Sequence, residues 1–158
     1  MKAVYAGTFD PFTNGHWDLV ERSSHVFENL TIAVGNGSGK LPLLNAGERK
    51  TIITEAVGEL KNVTVDIFDG LLVNYCKSIG AKIIVRGLRA LSDFEAELAM
   101  AHTNYMLDHN IDTFFLVTKT ENSYVSSSMV REVARLGGDI TPFVPPYAAK
   151  FLLRKLRG

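Results

Sequence analysis

The chain has 158 residues, 46% apolar and 22% charged, with 17 basic residues matched by 17 acidic ones. That size and balance fit a single globular domain over residues 1–158 with a sizeable core. A formal net charge of zero argues against nucleic-acid-coating and membrane-surface roles, both of which call for net basicity, but admits a small anionic ligand held by a local cluster of cations. The single cysteine, Cys76, excludes an internal disulfide and a cysteine zinc site. No apolar run reaches the roughly 18–20 residues needed to span a bilayer, and the N-terminus opens on a strand pattern instead of a targeting segment, so a cytoplasmic location and no membrane partner are expected.

Short β-branched runs predict strands near residues 2–6, 30–35, 63–68, 82–86 and 113–118. Between and after them, 3.6-residue patterns predict helices near residues 16–27, 47–60, 71–79, 91–109, 127–136 and 146–156. Several strands are nearly continuous apolar runs, such as Ile83-Ile84-Val85, as a parallel sheet covered on both faces requires. The alternation predicts an α/β, doubly wound five-stranded parallel sheet. Strands 1 and 4 are expected at its centre, where the loops at their carboxyl ends would bind ligand.

The first loop, Gly7-Thr8-Phe9-Asp10-Pro11-Phe12-Thr13-Asn14-Gly15-His16, follows strand 1 directly. Gly7 is expected to let the chain turn sharply and approach a ligand. Thr8 supplies a hydroxyl, and His16 opens a helix whose free N–H groups favour an anion. After strand 2, Lys40 ends a glycine-rich stretch, Asn36-Gly37-Ser38-Gly39-Lys40, which lacks the spacing of a Walker A loop. After strand 4, Arg86-Gly87-Leu88-Arg89 offers two planar guanidinium forks suited to phosphate, with Gly87 allowing close backbone approach. Near the C-terminus, Val125-Ser126-Ser127-Ser128-Met129-Val130-Arg131 opens another helix. One serine there suffices as a cap; three exceed that need and could hold the β- and γ-phosphates of a triphosphate. His25, His102 and His109, within or near the ends of helices, receive no ligand role.

The two outer motifs resemble the paired signatures of the nucleotidyltransferase superfamily: Thr13-Asn14-Gly15-His16 is similar to T/H-x-G-H, and Val125–Arg131 to I-S-S-T/S-x-x-R. Within that superfamily the whole chain resembles the bacterial phosphopantetheine adenylyltransferases, a likeness carried by Gly7–Pro11, Arg86-Gly87-Leu88-Arg89-Ala90, Asp93-Phe94-Glu95 and Ser126–Ser128. The resemblance implies a Rossmann-like nucleotidyltransferase fold of strand order 3-2-1-4-5. It implies transfer of the adenylyl group of ATP to 4′-phosphopantetheine, giving dephospho-coenzyme A and pyrophosphate.

Carried over by position, the resemblance gives His16, Lys40, Thr8 and Arg89 to the reacting phosphates. It gives Thr8, Phe9, His16, Gly87, Leu88, Arg89, Glu97, Asn122, Ser123, Tyr124, Val125, Ser126, Ser127 and Ser128 to ATP, and Thr8, Lys40, Leu72, Arg86 and Asn104 to the phosphopantetheine substrate. Asn122 departs from the aromatic residue expected in many relatives, and Ala6 from a frequent proline. Mg²⁺ is expected to accompany ATP, held mainly by phosphates and water, and no metal-ligating residue is assigned. Feedback by coenzyme A and a homohexamer are implied by resemblance alone, and no nucleic-acid partner is expected.

The acceptor is already a phosphate anion, so the chemistry needs alignment and charge stabilisation, not a strong base. In-line displacement with inversion at the α-phosphorus is the expected course. Two other readings remain open at this level: a nucleotidyltransferase for another small phosphorylated acceptor, such as nicotinate mononucleotide or glycerol 3-phosphate, and a non-enzymatic ATP-binding module.

Overall fold

The computed structural model describes residues 1–158 apart from Ser38 and Lys40 and the side chains of Leu91 and Ser92. Five parallel strands, β1 (Lys2–Gly7), β2 (Asn29–Gly35), β3 (Val63–Phe68), β4 (Ile83–Leu88) and β5 (Asp112–Val117), form one sheet in the order β3-β2-β1-β4-β5. The helices are α1 (Asn14–Ser24), α2 (Ala46–Val57), α3 (Leu72–Ile79), α4 (Leu91–Leu107), α5 (Ser127–Arg135) and α6 (Pro146–Arg157). This is the expected doubly wound sheet and strand order. Among the described residues, no helix is long and apolar enough to cross a membrane.

The strand period of two sorts the core into two layers. Ala3, Tyr5, Leu30, Ile32, Val34, Ile83 and Val85 point to one face, where they meet Leu19 and Val20 of α1, Ile52 and Ile53 of α2, Val130 of α5 and Leu152 of α6. Val4, Ala6, Ala33 and Ile84 point to the other and meet Val73 and Cys76 of α3. The central strand β1 is buried on both faces, from Ala3 to Ala6, which explains why no alternation is visible in its sequence.

Several boundaries differ from expectation, each for a local reason. β4 runs two residues further than predicted, so Gly87 and Leu88 join Arg86 as strand residues, registered with Leu116, Val117 and Phe115 respectively. α1 starts earlier than predicted, at Asn14, because Thr13 caps it. α2 stops at Val57 and α4 at Leu107, where Asp108 is extended. A 3₁₀ turn, Thr120–Asn122, had no sequence signal.

Candidate active site

The carboxyl ends of β1 and β4 lie side by side, as the expected switch point requires, and the first loop and the α5 N-terminus close over them. Ser127 Oγ donates to the Pro11 carbonyl at 2.8 Å, and Arg131 donates to the Asp10 carbonyl at 2.5 Å. Two motifs more than a hundred residues apart in sequence are thereby tied into one wall. Ser126 caps α5 by accepting from the Met129 N–H at 3.1 Å, and its Oγ lies 3.2 Å from that of Ser128. The helix's free N–H groups therefore face the cleft, where an anion is favoured.

His16 is fixed by its own helix cap. The Thr13 N–H donates to His16 Nδ1 at 2.9 Å, and the His16 N–H donates to Thr13 Oγ1 at 3.3 Å, forming a capping box with histidine in the place usually taken by Glu or Gln. A donor aimed at Nδ1 leaves the proton of the neutral ring on Nε2. Phe9 meets the ring edge-on at 5.0 Å, and Phe12 stacks on it at 5.5 Å. Burial among these rings, then the charges of Arg89 and Arg86, push its pKa down to about 3. At neutral pH His16 is an uncharged N–H donor.

Gly7 is needed for a reason other than the one expected. The sharp turn belongs to Phe9, whose φ of 54° lies in the left-handed region that non-glycine residues rarely adopt. The turn folds the Phe9 ring back over residue 7, where a Cβ would come within 2.9 Å of Cζ. Gly87 behaves similarly: a Cβ there would lie 2.3 Å from Leu19 Cδ1, so its bareness makes room for α1.

Two hollows share this floor. The larger, of about 750 Å³, is lined by Thr8, Phe9, His16, Gly87, Arg89, Glu97, Val125, Ser126, Ser127 and Ser128 among others. The smaller, of about 410 Å³, is lined by Leu72, Met100 and Asn104 near the α3 and α4 helices. They meet at Ala6, Gly7, Thr8, Arg86 and Glu97, which line both. Arg86 is held there by a bidentate pair with Glu97, at 2.8 and 2.6 Å, and by the Ala6 carbonyl at 2.6 Å. Arg89 donates to the Val125 carbonyl at 3.1 Å and pairs with Asp93 at 3.3 Å.

Not every sequence candidate is at a wall. Among the described residues, Leu88, Asn122, Ser123 and Tyr124 line neither hollow. Leu88 is paired with Val117 in the sheet, Ser123 Oγ bonds the Thr120 carbonyl, and Tyr124 is exposed against Phe143. Lys40 lies outside the described residues. Sequence reasoning placed Arg131 at the end of the second motif without naming it as a site residue and passed over Arg135; both line the larger hollow. Their spacing of four on a helix that begins at the serine run was the available signal. Thr118, also on that wall, had none. Among the described residues no cluster of His, Cys, Asp or Glu could hold a metal ion.

A parallel sheet of this order, with a serine-capped helix and a capped histidine converging on one cleft, defines a nucleotide-handling α/β protein. The profile of the cytidylyltransferase-like family matches residues 4–133. The phosphopantetheine adenylyltransferase of Synechococcus sp. (strain JA-3-3Ab) is 51% identical over 152 residues, covering 96% of each chain. The enzyme of the same name from Thermomicrobium roseum is 45% identical, covering 99% of this chain and 95% of the relative. A solved structure from Vibrio parahaemolyticus, provisionally assigned as a nicotinate-nucleotide adenylyltransferase, superposes with a TM-score of 0.73 at 19% identity over 98% of this chain and 93% of that one, a likeness of fold. The chain belongs to the cytidylyltransferase-like family and, within it, to the phosphopantetheine adenylyltransferases.

Proposed function

We propose that this chain, acting as a single domain, transfers the adenylyl group of ATP to 4′-phosphopantetheine, giving dephospho-coenzyme A and pyrophosphate. The observation that carries the reading is the pair of hollows meeting at Thr8 and Arg86. One hollow has a helix N-terminus and guanidinium groups fit for a triphosphate; the other is bordered by apolar Leu72 and Met100, fit for an extended arm. In-line attack by the acceptor's phosphate on the α-phosphorus would take place where the two meet, with inversion. His16 Nε2–H and Arg89 would donate to oxygens that gain charge in the transition state, and Lys40 is proposed to do the same. Ser126, Ser127, Ser128 and Arg131 would hold the β- and γ-phosphates until pyrophosphate leaves.

The carboxylates lining the larger hollow are engaged: Asp10 with main-chain N–H groups, Glu97 with Arg86, Asp93 with Arg89. That fits a Mg²⁺ carried in by the triphosphate's own oxygens and water, supplying charge neutralisation to the leaving pyrophosphate. Coenzyme A, which contains the same pantetheine arm, is proposed as an inhibitor at the smaller hollow. Phe94, Met100, Met106 and Val117 expose apolar surface on α4 and β5, which supports a homo-oligomer, proposed to be a hexamer. A cytoplasmic site of action is part of the proposal.

The test is pyrophosphate release from Mg-ATP with 4′-phosphopantetheine, beside nicotinate mononucleotide and glycerol 3-phosphate. Release dependent on phosphopantetheine is expected. Release only with another acceptor, or ATP binding without release, overturns the assignment.

A further inference from the structure

One cation near the cleft lines neither hollow. Arg49 of α2 is 3% exposed, and its guanidinium bonds three main-chain carbonyls: Nη1 donates to Thr8 O at 2.7 Å and Gly35 O at 2.9 Å, and Nε to Leu44 O at 2.9 Å. These belong to three segments: the residue after β1, the last residue of β2 and the loop before α2. Asp10 grips the same loop from the other side, its two carboxylate oxygens each accepting at 2.9 Å from the N–H groups of Leu43 and Leu44. Burying a guanidinium against carbonyls, without a carboxylate in hydrogen-bond contact, is costly, and burial lowers the pKa of Arg49 accordingly.

The three carbonyls are not arbitrary. Thr8 lines both hollows, Gly35 lines the smaller and Leu43, next to Leu44, lines the larger. We infer that Arg49, backed by Asp10, is a positioning residue for the transfer: it holds one wall of each hollow to Thr8, so that the two substrates meet in line there. The inference rests on the two-substrate reading above. A planar fork can serve two carbonyls from Nη1 and a third from Nε; a lysine ammonium has a single nitrogen and cannot span them. In-line transfer is sensitive to such slack, since a displacement of about 1 Å can cost about a hundredfold in rate.

The experiment compares wild type, Arg49→Lys and Asp10→Asn by pyrophosphate release, with kcat expressed per ATP-binding site so that partly unfolded protein does not imitate the effect. Both variants are expected to lose kcat by roughly 10- to 100-fold, with KM for both substrates changed by less than about threefold, and with no recovery on cooling well below each Tm. Variants with wild-type kcat per site, or with raised KM at unchanged kcat, or whose loss disappears on cooling, overturn the inference. If wild type itself releases no pyrophosphate with phosphopantetheine, the functional reading fails first; if wild type turns over and the variants match it, only the role of Arg49 fails.

Discussion

His16 gives the sharpest test of how the site is built. Its Nδ1 is committed to the Thr13 N–H, and its pKa is about 3 in the folded chain against about 6.5 unfolded. The sign follows from linkage: below about pH 6.5 the unfolded chain binds a proton that the folded one refuses, so stability falls as pH drops from about 6.5 towards 3. Between pH 7 and pH 5 the full shift corresponds to about 2 kcal/mol; the ring is partly open to solvent, which reduces this to about 1–2 kcal/mol. Urea unfolding of wild type and His16→Gln at both pH values isolates the effect, since every other titrating group is shared. Wild type should lose about 1–2 kcal/mol more than the variant, and the His16 ring resonances should stay unshifted down to about pH 4. A His16 ring that titrates between about pH 6 and 7, or equal acid losses in the two proteins, would refute the capped, neutral donor. The same picture requires that kcat show no inflection near pH 6.5 that disappears in His16→Gln.

Two further outcomes follow from packing. Gly7→Ala places a Cβ 2.9 Å from the Phe9 ring, which in turn supports His16; denaturant melts should show a loss of about 1–3 kcal/mol, accompanied by a fall in kcat, and a silent variant would show that the ring is free to move. Thr118 is 8% exposed, and its Oγ1 has no hydrogen-bond partner among the described residues, so Thr118→Val, which keeps the shape, should raise stability by about 1 kcal/mol, or about 2–4 °C in Tm for a chain of this size. A lowered Tm would reveal a partner for that hydroxyl.

The sheet was legible because its inner strands are apolar on both faces and its helices are periodic, so alternation led to a doubly wound parallel sheet with strands 1 and 4 at its centre, while the full strand order came from the family resemblance. The site motifs were legible because glycine, histidine and serine at strand-to-helix junctions have few other uses in combination. The reason for Gly7 was not: it depends on where the Phe9 ring goes, and nothing local in the sequence marks a phenylalanine for a left-handed φ. The packing need at Gly87 was hidden for a similar cause, because Leu19 approaches it from a different element.

Local physics thus determined the elements, the two phosphate-facing motifs and the family likeness. Tertiary structure alone decided that Ser127 bonds Pro11, that Arg86 is locked to Glu97 between two hollows, and that Arg49 grips three distant carbonyls. Main-chain carbonyls carry no side-chain identity, so a bond to one leaves no mark in the partner's sequence. A buried arginine in α2 therefore reads, until the chain is folded, like any other charge on a helix.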